Sequence, residues 1–288
     1  MLKTLLLSSR VFLTLISKGK IDMNKLVLLS TAFIALSGLN TADARVMAVV
    51  DVDQTPQLCE GFGPQTPRDI SMVEGTNTVK FDVSQSYKDM NLCNIHFHKQ
   101  AEHKGPGFSI VPTDGTKGFQ CNKTSTLTEA QMAPMTGAVC NGLKPGDTVE
   151  VHWVHTSCDV DPGPTLGACL SDACANPQLR VETQVFLLAN DDTAINFGDL
   201  VTQSDAGYAN AIPSNTGEPV VFAGSTTGPS FTEQTCSPLQ VGWSVRPQCA
   251  MLDINTLGAW CNDNVYDEDH AHGVRDLVTS PALLSPIE

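Results

Sequence analysis

Two short stretches of alternating residues constrain this 288-residue chain more than anything else in it. Asn94-Ile95-His96-Phe97-His98 and Glu150-Val151-His152-Trp153-Val154-His155 both change character from one residue to the next. A β-strand carries residues i and i+2 on one face, so His96 and His98 present two imidazoles together while Phe97 turns away into apolar packing. In the second stretch Glu150, His152 and Val154 share one face, and Val151, Trp153 and His155 share the other. If the strands lie side by side, His152 supplies a third nitrogen. Three neutral imidazoles with a fourth position left to water make a catalytic zinc arrangement, because a structural site fills all four positions with protein.

The start of the sequence reads as address rather than structure. From Met23 a short basic region (Asn24-Lys25) leads into the apolar run Leu26 to Leu39 and then into Ala42-Asp43-Ala44. That pattern predicts a secretory signal peptide over 23–44, cleaved after Ala44. Its apolar core is short for a membrane span. Residues 1–22 form a poorer basic and apolar stretch, which reads as an over-extended start with Met23 the initiator. The mature protein is expected to be exported, periplasmic or secreted, with no stable membrane insertion.

Without residues 1–44 the chain carries 12 basic against 29 acidic residues, a net charge of −17. Such a surface repels phosphate backbones, so nucleic acid is excluded as a partner class. All 10 cysteines fall beyond the leader, and an even number in an exported chain predicts disulfides. Spacing alone does not fix their pairing; Cys121 with Cys140 and Cys249 with Cys261 are the short-loop candidates. With no Cys-x-x-Cys pair, a thiolate zinc knuckle has little support. Residues 45–288 show no repeat and no low-complexity linker, which predicts one domain.

Alternation and turn residues predict strands at 78–83, 92–98, 108–111, 148–155, 179–189, 219–223 and 240–245. The run Val185 to Ala189 suggests a strand buried on both faces. A short helix is expected near Leu127 to Met132, and Cys158 to Asn176 reads as a disulfide-pinned loop. Many strands between Gly/Pro turns, with hardly any amphipathic helix, predict a mainly β fold. His155 reads as a core histidine, Trp153 and Trp243 as core, and His270 and His272 as solvated surface in an acidic tail.

Five blocks carry a resemblance. Gly63 to Ile70, Asn94 to His98 with Glu102-His103, Glu150 to His155, Gly224-Ser225-Thr226-Thr227-Gly228-Pro229 and Val241 to Val245 stand in the same order as their counterparts in α-type carbonic anhydrases. The cysteine load and the wording of 91–107 resemble the δ-class carbonic anhydrases more closely. The similarity spans roughly residues 59–245.

That resemblance implies a carbonic-anhydrase-like roll: a large twisted, mostly antiparallel central sheet with a few short peripheral helices. It implies Zn2+ on His96, His98 and His152, with Asn94 and Glu150 accepting the outer N–H of His96 and His152. Thr226 matches a gatekeeping threonine that accepts a hydrogen bond from zinc-bound hydroxide and donates to a carboxylate, here Glu102; Thr227 lines the same pocket. Two departures bear on this. Glu102 stands only four residues after His98, closer than in the α class, and the threonine block is one residue short with Gly228 where proline is usual, so either threonine can take the gate role. No histidine occupies the family's proton-shuttle place, which leaves His103, or buffer, for that task. The implied reaction is reversible hydration of carbon dioxide to bicarbonate and a proton by attack of zinc-bound hydroxide. Sulfonamides and anions such as azide or thiocyanate are the implied inhibitors.

Two other readings compete. A carbonic-anhydrase-like module used for adhesion or binding usually lacks one of the three histidines, and all three are present. A cupin-type metalloenzyme would recruit Glu102 as a direct ligand of iron or manganese. The two are separable from the first reading by metal content and by carbon dioxide hydration.

Overall fold

The computed structural model describes residues 57–137, 140–201, 212–213 and 215–288. The leader expected at 23–44 and the segment before it lie outside these residues.

Strand β1 (Asn91–Lys99) pairs antiparallel with β4 (Thr148–Thr156), and β4 pairs antiparallel with the long β5 (Leu179–Ala189). Beyond β5 the sheet turns parallel. The first half of β5 runs beside β7 (Gln240–Val245) and its second half beside β8 (Ala250–Asp253), so two short strands in succession serve one long edge. β6 (Val220–Ser225) closes the order antiparallel to β7. The result is a six-stranded, mostly antiparallel sheet, with β2 (Phe108–Ile110) and β3 (Gln120–Cys121) as a separate pair. The mainly β architecture expected from the turn pattern is therefore observed.

The two faces of the sheet differ in chemistry because the alternation in β1 and β4 sorts their side chains. Ile95, Phe97, Val149, Val151 and Trp153 face one way and pack with Phe186, Leu188 and helix α1 (Ile254–Asn262), which contributes Leu257 and Trp260. Each fully buried side chain of this size contributes about 1.5–3 kcal/mol, so this face carries much of the stability that holds the polar face in place. β5 is buried along nearly its whole length, in keeping with its apolar run. A shift in register between Leu92 and Asn94 leaves Cys93 as an extra residue in β1. Bulges of this kind re-aim a strand, and here the strand continues with Asn94, His96 and His98 opposite Val154, His152 and Glu150.

Several expected elements are corrected. Residues 78–83 form no regular element and pair with no strand among the described residues. Leu127 to Met132 forms turns rather than a helix. Helix α1, which spacing did not reveal, is nine residues long, is capped by the Asp253 carboxylate accepting from Asn255 N, and follows β8 without a loop.

Five disulfides join Cys59–Cys236, Cys93–Cys169, Cys121–Cys249, Cys140–Cys261 and Cys158–Cys174. The short-loop pairs Cys121–Cys140 and Cys249–Cys261 are thus overturned: these four cysteines cross-pair and tie distant parts of the chain. Five such bonds point to an oxidising, extracytoplasmic compartment. No helix among the described residues is long and apolar enough to cross a membrane.

Candidate metal centre

His96 lies directly opposite His152 in the ladder, and His98 lies opposite Glu150. The ligand atoms of His96, His98 and His152 fall within 4.8 Å of one another, and His152 Nδ1 is 3.2 Å from His96 Nε2. Two nitrogens this close are stable only if a proton or a cation lies between them. The outer nitrogens decide which. His96 Nδ1 lies 2.7 Å from Asn94 Oδ1, His98 Nδ1 lies 3.0 Å from Gly273 O, and His152 Nε2 lies 2.8 Å from Glu150 Oε1. All three partners are acceptors, so each outer nitrogen carries the proton and each inner nitrogen keeps its lone pair. His98 Nε2 is buried with no hydrogen-bond partner, at a cost of about 1–3 kcal/mol for an unsatisfied group. Three converging lone pairs, one of them orphaned, fit a divalent cation of imidazole preference, such as zinc.

Burial, reinforced by the other rings, pushes His96 well below its ordinary 6.5. Burial likewise lowers His98, against the opposing pull of Glu102. Both rings are therefore kept neutral, the form that binds metal. Burial would raise the Glu150 carboxyl, yet the adjacent His103 and the hydrogen bonds from His103 and His152 outweigh it and hold Glu150 well below the usual carboxylate range. The Asn94 amide is oriented from both ends, because its Nδ2 donates to Gly163 O at 3.0 Å. The neighbouring Cys93–Cys169 bond pins that loop over the strand.

The triad opens into a cleft of about 390 Å³. Its lining includes the apolar Val154, Leu179, Val181, Val241 and Trp243, together with Thr226, Thr227, Gly228 and Pro229. Trp243 is buried as expected of core, but it also forms part of this lining and donates from Nε1 to Ser225 O at 2.9 Å. Gly224 permits that close packing, since a Cβ there would meet Trp243 Cδ1 at 2.8 Å and Thr66 Oγ1 at 2.0 Å.

The remaining sequence-derived residues fall in three groups. His103 is wholly buried with Nδ1 2.7 Å from Glu150 Oε1, so it anchors the carboxylate behind His152 and has no solvent face. Glu102 is buried 3.5 Å from His98 Nδ1 and accepts from Arg275 N. A hydrogen bond between Glu102 and Thr226 is not among those formed by the described residues. The Thr226 hydroxyl is paired with Ser237 Oγ at 2.6 Å instead. Because Glu102 lies beside an outer nitrogen of the triad, it is not placed as a direct ligand. His155 is a core histidine: Nδ1 is 3.0 Å from Trp153 O, and burial pushes the ring down to about 4.

The acidic tail differs from its reading as solvated surface. His270 is exposed, but His272 is half-buried, lines the cleft, and pairs its Nε2 with Glu268 Oε2 at 3.0 Å. Its backbone adds to the edge of β1, donating to Phe97 O and accepting from Lys99 N. The hydrogen bond to Glu268 raises His272 above 6.5 against partial burial. The signal available in the sequence was the second His-x-His, at 270–272, whose His272 stands four residues after Glu268. Ser237, Gly273 and Arg275 carry no sequence signal of this kind.

Comparison with known proteins completes the picture. No curated protein matches the sequence. Among solved structures, a hyperthermostable carbonic anhydrase identified from an active hydrothermal vent chimney aligns at 15% identity over 78% of this chain and 86% of its own, with a TM-score of 0.33. The α-carbonic anhydrase of Photobacterium profundum aligns at 18% identity over 76% and 87%, with a TM-score of 0.26. That of Thermovibrio ammonificans, solved with the inhibitor sulfanilamide, aligns at 15% identity over 73% and 83%, with a TM-score of 0.24. The delta carbonic anhydrase family model matches residues 87–256, more than half of the sequence and both histidine strands with it, and the chain belongs to that family.

Proposed function

We propose that this protein is an exported zinc carbonic anhydrase that interconverts carbon dioxide and bicarbonate. One observation carries the reading: three inner imidazole nitrogens converge while every outer nitrogen is committed to an acceptor. Zinc would be held by His96 Nε2, His98 Nε2 and His152 Nδ1, and when bound it supplies Lewis acidity that ionises a water near neutral pH, as carbonic anhydrases are known to do.

The chain's own residues do the rest. Asn94, the Gly273 carbonyl and Glu150 orient the three rings and fix their tautomers. His103 steadies Glu150, and Glu102 places negative charge beside the outer nitrogen of His98. The lining residues Val154, Val181, Val241 and Trp243 exclude water and give an apolar substrate a surface to rest on. Thr226 and Thr227 supply hydroxyls to the cleft lining. The proton released by hydration leaves by way of the cleft, where His272 with Glu268 offers an acceptor open to solvent.

The test is zinc content and carbon dioxide hydration of the purified protein. The expected result is one zinc per chain, hydration lost on chelation, and recovery on adding zinc back. A zinc-loaded protein inert in hydration would favour the binding-module reading, and iron or manganese in its place would favour the cupin reading. Export is tested by the N-terminal sequence of protein recovered outside the cytoplasm, expected to begin at Arg45.

A further inference from the structure

The Asn94 side chain ends in an amide, and an amide has two faces of opposite polarity. With Oδ1 lying 2.7 Å from His96 Nδ1, the ring donates from Nδ1, and Nε2 keeps the lone pair that faces His152. Turned over, the amide would present Nδ2 to the same ring. His96 would then accept at Nδ1 and carry its proton on Nε2, the nitrogen a metal needs bare. Asn94 by itself does not choose between these two states. The choice falls to the Gly163 carbonyl, which accepts from Asn94 Nδ2 at 3.0 Å and is the one acceptor that nitrogen has among the described residues. A turned amide would set Oδ1 against this carbonyl, acceptor facing acceptor, and Asn94 is only 2% exposed, so water cannot repair the mismatch.

Gly163 begins a strap, residues 163–169, that is tied to both β1 and β4. Gly163 N donates to Cys93 O at 3.0 Å, Cys93 and Cys169 are disulfide-bonded, and Cys169 O accepts from Thr156 Oγ1 at 2.9 Å. Cys93 is the extra residue of the β1 bulge and immediately precedes Asn94. The strap is not at rest. Thr165 adopts φ 60° and ψ 171°, a conformation that belongs almost wholly to glycine. Cutting the disulfide therefore gives the strap a downhill move away from Asn94.

We infer that Gly163, held by the Cys93–Cys169 bond, is a positioning residue that selects the metal-binding tautomer of His96 by way of Asn94. The inference rests on the proposed function only in taking His96 as a zinc ligand. A site that is competent in a fraction of molecules binds its metal more weakly by that fraction. The share of His96 rings protonated on Nδ1 and the zinc affinity must then move together.

Nitrogen-15 NMR of the metal-free protein reads the tautomer, and competition with a chelator reads zinc affinity. In the wild type, His96 is expected to be protonated on Nδ1 alone. Cys93→Ala with Cys169→Ala should give a mixed ring, about one in ten protonated on Nδ1, and bind zinc about tenfold more weakly. Replacing Cys158 and Cys174 with alanine, a pair that cross-links the same loop but not to β1, should leave both readings within about twofold of wild type. Asn94→Asp offers two oxygens that both accept, which removes the choice of face. In that background, loss of Cys93–Cys169 should cost no further zinc affinity. A mixed ring in the wild type overturns the proposal without any variant having to fold. It is equally overturned by an unchanged tautomer or affinity in the Cys93/Cys169 variant, or by the same loss in the Asn94→Asp background. A wild-type protein that takes up no zinc would sink the functional reading alone, leaving the tautomers to decide this one.

Discussion

The candidate site has two halves of different origin. One is borne on the β1–β4 ladder and comprises His96, His98, His152, Asn94 and Glu150. The other is borne on connections: Thr226, Ser237, Gly273, and the pair Glu268 and His272. The ladder half follows from a period of two residues and one antiparallel register, so a single rule brings five groups to one face. The loop half obeys no period. Gly273 reaches His98 across 175 residues of sequence, and Ser237, which pairs with Thr226, is held by Gln65 across 172 residues. The three candidate ligands are thus set by local rules and their surroundings by long-range packing, and each half breaks in its own way.

The largest effect comes from the ladder. His152→Ala should abolish hydration and remove most zinc affinity, because two imidazoles cannot replace three and the Glu150 carboxylate loses a partner 2.8 Å away. His155→Ala, on the opposite face of the same strand, should spare zinc and cost about 2–4 kcal/mol of stability through the cavity it leaves. Metal analysis and denaturant titration of the two variants check the contrast. Full activity in the His152 variant would end the ligand assignment.

Next come the cross-links that hold the connections to the sheet. Cys121–Cys249 spans 128 residues, whereas Cys158–Cys174 spans 16. Loop-closure entropy makes the first worth about 5 kcal/mol and the second about 3. Replacing each pair with alanine should rank the two in that order by chemical denaturation; the reverse ranking would mean that native-state packing, not the unfolded chain, sets their value.

These bonds mark a limit of sequence reading. Six of the eight strands, β1, β2, β4, β5, β6 and β7, lay where alternation and turn residues put them, while β3 and β8, of two and four residues, announced themselves in no pattern. The strand expected at 78–83 failed because alternation alone does not supply a partner. α1 escaped because nine residues beginning at the end of β8 show no separate run pattern until the packing of its Trp260 against Phe197 is seen. In the candidate site, spacing and family resemblance pointed to the three imidazoles that converge and to two of their acceptors, Asn94 and Glu150. The third acceptor is a main-chain carbonyl, which no side-chain pattern can encode. The same holds for the Thr226 partner: the eye seeks a carboxylate, and the fold supplies a serine. The cysteine pairing was illegible because ten thiols admit many connectivities and only the fold chooses one.

Acid stability sharpens the picture of the strand's far face. His155 titrates near 4 when folded against an ordinary 6.5, so the unfolded chain binds its proton first. The resulting stability is complete above about pH 6.5 and is lost as the pH falls toward 4, a change of about 3 kcal/mol from this one ring. His155→Phe should flatten the pH dependence of stability in that window, measured on metal-free protein so that zinc release adds nothing. An unchanged slope would show that the ring is as accessible to protons in the folded state as in the unfolded one.

The smallest effects separate the two kinds of acceptor. Asn94→Ala removes the oxygen that holds His96 Nδ1 and should lower zinc affinity about 10- to 100-fold, the usual range for an outer partner of a ligating histidine. Asn94→Asp restores an acceptor and should recover most of it. His98 presents the opposite case, because its acceptor belongs to the backbone of Gly273. A Cβ at Gly273 would meet nothing within 4 Å, and the residue does not adopt a positive φ. Gly273→Ala therefore keeps the carbonyl where it is, and zinc affinity should stay within about twofold of wild type. Competition with a chelator measures both. If Gly273→Ala lost as much affinity as Asn94→Ala, the loop rather than its carbonyl would be what orients His98, and the division between a ladder that supplies ligands and loops that merely tune them would have to be redrawn.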